Sequence, residues 1–194
     1  GDLPFLVIDA GSAARLGAIG LDRAAIFAQM RETSIPETMG CWAMPVGNFD
    51  SQLVSVGMAQ WNFGTGSLQP LLKAWKQAQR GGFRRARKAL MPVHGKTIFS
   101  HACLAVPVKP RCREKILAAH GPDGKLDPVL WGEFNALFES DAMLQVQLDT
   151  YLVLLEAVRQ DLLRVFPDGP ITLRKVRWAV DTKVQQGGFP LDED

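Results

Sequence analysis

The chain has 194 residues, a formal net charge of +2, 47% hydrophobic residues and 22% charged residues. This composition is typical of one globular domain and excludes an intrinsically disordered chain, which would have too few apolar residues to form a core. No apolar run approaches the roughly 18 residues that a membrane-spanning helix needs, and residues 4–8 are too short for the core of a signal peptide.

The first twenty residues are rich in glycine and alanine, and we interpret residues 1–20 as a lead-in segment. Residues 21–194 are predicted to form a single domain. Because the chain begins with Gly1 rather than Met, we expect an excised domain or a processed product.

The first strong helical signal begins at Asp22, a residue type suited to capping a helix N-terminus. Apolar residues at helical spacing predict a helix over residues 23–33. The Ile35-Pro36 pair is expected to end it, because the residue before a proline is disfavoured in the α region. Glu37 therefore lies at or just past a helix end.

The next segment has the pattern of a small β-sheet. Trp42, Met44 and Val46 alternate with other residues, a Gly-Asn turn follows, and residues 53–58 are rich in strand-forming types. This pattern predicts a β-hairpin or a three-stranded sheet.

Helical signals dominate the rest of the chain, where turn residues separate the apolar stripes. Four longer helices are predicted, over residues 67–79, 128–138, 141–166 and 172–185. We therefore predict an α+β fold that is mainly α, with a helical core and one small antiparallel hairpin or sheet near residues 42–62.

Charge is distributed unevenly along the chain. Residues 51–113 contain no Asp or Glu, and the remainder is about −9 by formal count. The same stretch carries eleven basic residues: Lys73, Lys76, Arg80, Arg84, Arg85, Arg87, Lys88, Lys96, Lys109, Arg111 and Arg113. Such segregation indicates either an anionic partner with long-range steering, or simply a solvated basic surface.

The chain has three cysteines, Cys41, Cys103 and Cys112. An odd number argues against a full disulfide framework, although the last two are spaced closely enough for one bridge. Together with His101 and His120 they match no strong zinc pattern. Buried or reduced cysteines are the favoured interpretation, with no metal and no cofactor.

Two carboxylates and a hydroxyl follow one another between residues 37 and 55. Hydrolysis of a glycosidic bond typically uses a protonated carboxyl group that donates to the leaving oxygen and a second carboxylate that acts as base or nucleophile. We assign Glu37 as the acid, since a place beside Trp42 or Met58 would favour its protonated form. Asp50 is the candidate base, and Ser55 could orient a water against it.

Each of these assignments has an alternative. Glu32 competes with Glu37 as the acid, and either glutamate could be a solvated charge at a helix end. Asp50 could merely cap a turn.

The motifs around these residues resemble those of the lysozyme-like superfamily. In its phage-type branch a helix ends in a catalytic Glu, and a β-hairpin then supplies an Asp and a Thr followed by an aliphatic residue and Gly. Here Ser55-Val56-Gly57-Met58 takes that place, with the hydroxyl eighteen residues after Glu37. Ser55 departs from the usual Thr but keeps the hydroxyl group.

A closer resemblance is to lysozyme-like domains of bacterial cell-wall hydrolases and secreted antibacterial toxins. Residues 47–50 match a Gly-Asn-Phe-Asp motif, and residues 57–72 match a longer motif centred on Gln-Trp-Asn-Phe-Gly. Residues 180–188 resemble a third motif of these domains, with Gln186 in place of Asn. The resemblance covers roughly residues 22–190.

The resemblance implies a glycoside hydrolase that cleaves the glycan backbone of peptidoglycan, most simply a muramidase. A lytic transglycosylase, a chitosanase and a non-catalytic domain that binds the cell wall or a partner are the alternatives. The implied substrate-binding residues are Trp42, Gln60, Asn62, Asp181 and Gln185. Gln60 and Asn62 could instead be packing and turn residues, and Asp181 and Gln185 could brace the cleft from one helix face.

The resemblance also implies where the chain acts and what it meets. Peptidoglycan strands in the periplasm or outside the cell are the expected substrate, reached as part of a larger protein or through a secretion system. An immunity or inhibitor protein is a further possible partner. A nucleic-acid partner is not expected, because aromatic residues are not interleaved among the basic residues 80–88 beyond Phe83.

Overall fold

Helices dominate the fold, and one two-stranded hairpin lies among them. The computed structural model describes residues 3–47 and 51–186, without the side chains of Glu37, Gln185 and Gln186. The helices in this part of the chain are α1 (Ala10–Gly17), α2 (Arg23–Thr38), α3 (Leu68–Ala78), α4 (Phe83–Leu90), α5 (Gly95–Ile98), α6 (His101–Leu104), α7 (Pro110–Leu117), α8 (Pro128–Phe138), α9 (Asp141–Val165) and α10 (Leu173–Gln186). The strands are β1 (Ser55–Val56) and β2 (Trp61–Asn62). The predicted α+β, mainly α class is confirmed.

The helix ends follow local capping chemistry. The carboxylate of Asp22 accepts a hydrogen bond from Ala25 N at 2.8 Å at the start of α2, and Asp127 accepts from Val129 N and Leu130 N at 2.8 and 2.9 Å at the start of α8. These bonds satisfy N–H groups that have no partner within the helix. The four longer helices predicted from the sequence, α3, α8, α9 and α10, begin and end within one or two residues of the expected positions.

The α2 helix corrects one expectation, because it continues through Pro36 to Thr38 instead of ending near Thr33. In the last turn a proline removes only one backbone hydrogen bond, the one that its own N–H would donate to the carbonyl of residue 32. The hydroxyl of Thr38 donates to Ser34 O at 2.9 Å. Met39 then takes a left-handed conformation, with φ of 54°, and ends the helix.

The core has two parts, and α9 contributes to both. The first part lies among the hairpin and helices α3 to α8, with Trp75, Phe134 and Phe138 fully buried. The second lies among α1, α2, α9 and α10. Trp61 packs against both parts and so links them through the hairpin.

The lead-in segment contributes to the second part of the core. Asp9 caps α1 by accepting from Ser12 N at 2.9 Å. Leu6, Leu16 and Leu21 are almost completely buried. These residues therefore pack with the helices that follow them in the chain.

The hairpin is short and is held by its neighbours. Ser55 pairs with Asn62 and Val56 with Trp61 in antiparallel register, and Val46 forms a further bridge to Ser55. The turn between the strands begins at Gly57, whose φ is 85°. A Cβ there would lie 2.8 Å from ring atoms of both Phe138 and Trp61. Only glycine satisfies this conformation and this close contact.

Two glutamines of α9 bind backbone groups in the same way but in different surroundings. Gln147 is fully buried; its Oε1 accepts from Met58 N at 3.2 Å and its Nε2 donates to Phe138 O at 3.2 Å. Gln145 makes the matching pair of bonds, both 2.8 Å long, with the N–H and C=O of Val7 at the surface. Gln147 therefore attaches the hairpin turn to the core.

We expect Gln147→Leu to destabilise the fold by about 1–3 kcal/mol, because it leaves a buried N–H and a buried C=O without partners. Gln145→Leu is the matched control, because water can replace the bonds of the amide at the surface, and its effect should stay below about 0.5 kcal/mol. Urea unfolding of both variants measures the difference. Equal destabilisation of the two variants would show that the buried hydrogen bonds of Gln147 contribute no more stability than those of Gln145 at the surface.

The cysteines differ from the favoured interpretation. Cys103 and Cys112 are buried, as expected, but they form a disulfide that joins α6 to α7, and Cys41 is free and exposed. The ring nitrogens of His120 lie 2.7 Å from Ile116 O and 2.9 Å from Leu53 O. Within residues 3–47 and 51–186, no three His, Cys, Asp or Glu residues are grouped to hold a metal ion.

The sequence predicts no membrane-spanning helix. No helix of the described residues combines the length and the apolar character that a membrane span requires.

Candidate functional site

A cleft with a volume of about 1060 Å³ lies between the hairpin and the two long C-terminal helices, α9 and α10. The hairpin side is formed by Val46, Gly47, Ser55, Ala59, Gln60, Trp61, Asn62, Thr65 and Ser67. The helical side is formed by Thr150, Tyr151, Val153, Leu154, Ala157, Lys183 and Val184. Eight of these sixteen residues have polar side chains and the other eight are apolar or glycine, so the wall offers hydrogen-bonding groups together with apolar surface.

Three residues predicted from the sequence, Ser55, Gln60 and Asn62, lie together in this cleft. The hairpin register brings Ser55 directly opposite Asn62. The backbone N–H and C=O of Ser55 are bonded to Val46, at 3.0 and 2.7 Å. The Ser55 hydroxyl is therefore held at the cleft wall by a fixed backbone.

The amides of Gln60 and Asn62 also hold the hairpin together. Gln60 has a φ of 47°, and its Nε2 donates to Met44 O and Gly57 O at 3.3 Å each. The Oδ1 of Asn62 accepts from the N–H and the hydroxyl of Thr65, at 2.8 and 2.9 Å. Both residues therefore border the cleft while performing the turn role that the sequence left open.

Trp42 and Asp181 lie elsewhere. Trp42 stacks on Phe27, with ring centroids 6.3 Å apart and planes within 5°, and lines a separate groove with Arg31 and Leu144. Asp181 is exposed on α10, two residues before Lys183, which does line the cleft. Neither residue is among those that form the cleft wall in the described part of the chain.

A hydrogen bond connects the cleft to α2. The hydroxyl groups of Tyr151, on the cleft wall, and Thr33, on α2, are 2.7 Å apart and both are buried. Burial raises the pKa of Tyr151, so its hydroxyl is protonated at neutral pH. The pair fixes the distance between α2 and the wall of the cleft.

The position of Glu37 in α2 follows from the helical repeat. Residue 37 lies three, four and seven positions after Ser34, Thr33 and Met30, all of which are buried. Residues at these separations share one helix face. The backbone at position 37 therefore continues the face of α2 that carries the Thr33–Tyr151 bond.

Parts of the predicted site lie outside the described residues. Asp50 belongs to residues 48–50, and the side chains of Glu37 and Gln185 are likewise not described, although their backbones lie in α2 and α10. Residues 187 and 188 of the third motif are also outside. Among the described lining residues, none carries a carboxyl group.

Glu32, the alternative acid, has a structural partner. Its carboxylate accepts from Arg177 Nη2 at 2.9 Å, and both side chains are about half exposed. The pair joins α2 to α10 at the surface, where such ion pairs contribute little stability. This contact favours the second interpretation of Glu32, a solvated charge on the helix surface.

Sequence reasoning missed the helical side of the cleft. Thr150, Val153, Leu154 and Ala157 follow one another at positions i, i+3, i+4 and i+7 of α9. This is a second stripe beside the core stripe, and Val153 on it is 71% exposed. The signal in the sequence was an apolar surface on this helix that is wider than the core requires.

Lys183 was also missed. Its ammonium group donates to Asp161 Oδ2 at 2.6 Å, which links α10 to α9 and places a cation at the cleft wall.

Comparison with known proteins gives no relatives: no protein-family model, no curated protein and no solved structure matches the chain.

Proposed function

We propose that this chain is a glycoside hydrolase that cleaves the glycan backbone of peptidoglycan, with a Glu–Asp pair as acid and base. The observation that carries the proposal is the cleft beside the hairpin, which brings Ser55, Gln60 and Asn62 together and is joined to α2 by the Tyr151–Thr33 bond. Helix, hairpin and cleft are the parts that the lysozyme-like motifs require of this fold. The volume of about 1060 Å³ suits a segment of a sugar polymer.

In this proposal Glu37 protonates the glycosidic oxygen at the end of α2. Asp50 activates a water or stabilises the positive charge that develops on the sugar, and the Ser55 hydroxyl orients that water. The apolar stripe of α9 contacts the faces of the sugar rings. The acid–base steps are thus assigned to side chains of this chain alone.

The test is analysis of the products of purified peptidoglycan by mass spectrometry. Products with reducing muramic ends are expected. Products with 1,6-anhydro ends would identify a lytic transglycosylase instead, and cleavage of chitosan in preference to peptidoglycan would identify a chitosanase. An absence of any cleaved bond would contradict the proposal.

A second candidate function is a domain that binds the wall or a partner without cutting it. The observation that favours it is the set of eleven cations in residues 51–113, none of which pairs with a carboxylate of the described residues. Binding of wild type to intact walls in the absence of cleavage would identify this function. Both candidates place the chain at the bacterial cell wall, where it would be delivered as part of a larger protein or by a secretion system.

Ser55 provides a mild test of the assigned roles. We expect Ser55→Thr to keep nearly full activity, because threonine retains the hydroxyl and suits a strand. Ser55→Ala should lose roughly threefold to tenfold in rate, the equivalent of one hydrogen bond. Initial rates on solubilised peptidoglycan compare the two variants. Equal rates for both would show that the hydroxyl takes no part.

A further inference from the structure

A second feature of the molecule is a surface pocket lined by cations, on the side of the first core. It has a volume of about 390 Å³ and is lined by Phe83, Arg84, Arg87, Lys96 and Phe99. We call these five residues the basic pocket. They come from α4, from α5 and from the residue that follows α5.

The cations of the basic pocket have no anionic partner in the part of the chain that the structure describes. Arg84 and Arg87 are three residues apart in α4, so they share a helix face, where like charges repel each other. Among the described residues, no carboxylate lies within ion-pair distance of Arg84, Arg87 or Lys96. An anion bound in the pocket would relieve this repulsion.

Arg87 is partly buried, and its side chain is held by its neighbours. Its Nε is buried and has no hydrogen-bond partner among the described residues. The stem of Arg87 packs closely on Gly95, where an added Cβ would lie 3.0 Å from Arg87 Cγ. The guanidinium is therefore held in place on the pocket side of α4.

The apolar wall of the pocket is fixed by the core. The rings of Phe83 and Phe99 meet edge to face at 5.3 Å, and both pack against the buried Trp75, at 6.0 and 5.2 Å. Phe99 is only 6% exposed. The pocket is thus formed by packed residues and not by surface side chains alone.

We propose that the basic pocket binds a phosphate group. Two guanidinium groups and one ammonium group supply charged N–H donors of the kind that bind phosphate oxygens, and arginine forks bind such oxygens in pairs. The group can be a free phosphate or one unit of a phosphodiester polymer. This proposal does not depend on Glu37 or Asp50, and a chain without glycosidase activity would still bind phosphate here.

The test compares two double variants that each remove one arginine and one lysine. Arg84→Gln with Lys96→Gln alters the basic pocket, whereas Arg85→Gln with Lys88→Gln removes the same charge from exposed positions of α4 that do not line it. Arg87 is left in place, because its stem is packed. Calorimetry at constant ionic strength measures binding of three probes: sodium phosphate, poly(glycerol phosphate) and polyglutamate. Thermal unfolding of each variant shows whether the fold is kept.

We expect the pocket variant to bind phosphate about tenfold more weakly than wild type, and the control to change less than about twofold. Tighter binding of poly(glycerol phosphate) per phosphate would identify a polymer as the source, and equal binding per phosphate a single free group. Equal loss in the two variants would overturn the proposal in favour of diffuse attraction. No binding of phosphate by wild type, or preference for polyglutamate, would overturn it as well; the latter would identify an acidic protein as the partner.

Discussion

Replacing Glu37 with glutamine is expected to slow glycan cleavage by about 10²–10⁴-fold, the usual contribution of a general acid, without changing the fold. Glutamine has nearly the same shape as glutamate but has no proton to donate to the leaving oxygen. The backbone of position 37 lies in the last turn of α2, one turn after Thr33, whose hydroxyl bonds that of Tyr151. The variant should therefore lose rate and retain substrate binding, which separates a chemical role from a structural one.

The matched control for this variant is Glu32→Gln. It lies in the same helix and removes the same charge, but its carboxylate pairs with Arg177 at the surface. Its expected effects are a rate within a fewfold of wild type and a stability change of about 0–1 kcal/mol. If the loss of rate appears in Glu32→Gln and not in Glu37→Gln, the acid has been misassigned.

Asp50→Asn is expected to be nearly as severe as Glu37→Gln. The second carboxylate is required in either stereochemical course, as the base that activates water or as the group that stabilises or attacks the sugar cation. Asparagine keeps the size and loses the charge. Asp50→Ala should lose a similar share of the rate, but it leaves space, so azide or formate added to the reaction should restore part of the rate of Asp50→Ala and not of Asp50→Asn.

Asp123→Asn serves as the control for Asp50. Asp123 is an exposed carboxylate in the turn before α8, where bonds from Lys125 hold the pKa of Asp123 below its usual range. Its replacement should leave the rate on solubilised peptidoglycan unchanged. A wild-type rate for Asp50→Asn would show that Asp50 is not the base and would favour its alternative role as a turn cap. The base would then be another carboxylate.

Local signals in the sequence predicted five of the ten helices of the described residues, namely α2, α3, α8, α9 and α10, and did not predict α1 or the shorter helices α4 to α7. Capping residues such as Asp22 and Asp127 act through bonds to N–H groups two or three positions away, and apolar stripes act through a fixed repeat, so both can be recognised in the sequence. The end of α2 could not be predicted in this way. Pro36 forbids one backbone bond, but whether the helix stops depends on nearby donors such as the Thr38 hydroxyl.

The predicted residues of the candidate site likewise include some that the structure brings together and one, Trp42, that it places elsewhere. Ser55 is predicted from its place after Glu37 and Asp50, and Gln60 and Asn62 are implied by the resemblance to lysozyme-like domains. All three lie within eight positions on one hairpin, where register determines which residues are opposite each other. Trp42 was assigned to the same site, but its ring stacks on Phe27 in another groove. The side chain of a residue just before the hairpin can pack against either part of the core, and only the tertiary contacts determine which.

Neighbours along the chain alone specify the four longer helices, the cap of α2 at Asp22, the place of the hairpin and the absence of acidic residues from 51 to 113. Tertiary structure alone decided the contacts between distant residues: the Tyr151–Thr33 bond, the buried clamp of Gln147 on Met58, and the meeting of Arg84 with Lys96 in one pocket. These contacts join residues that are 118, 89 and 12 positions apart. The first two depend on how α2 and the hairpin pack against α9, and the third on how α4 packs against α5, and no local pattern specifies these arrangements.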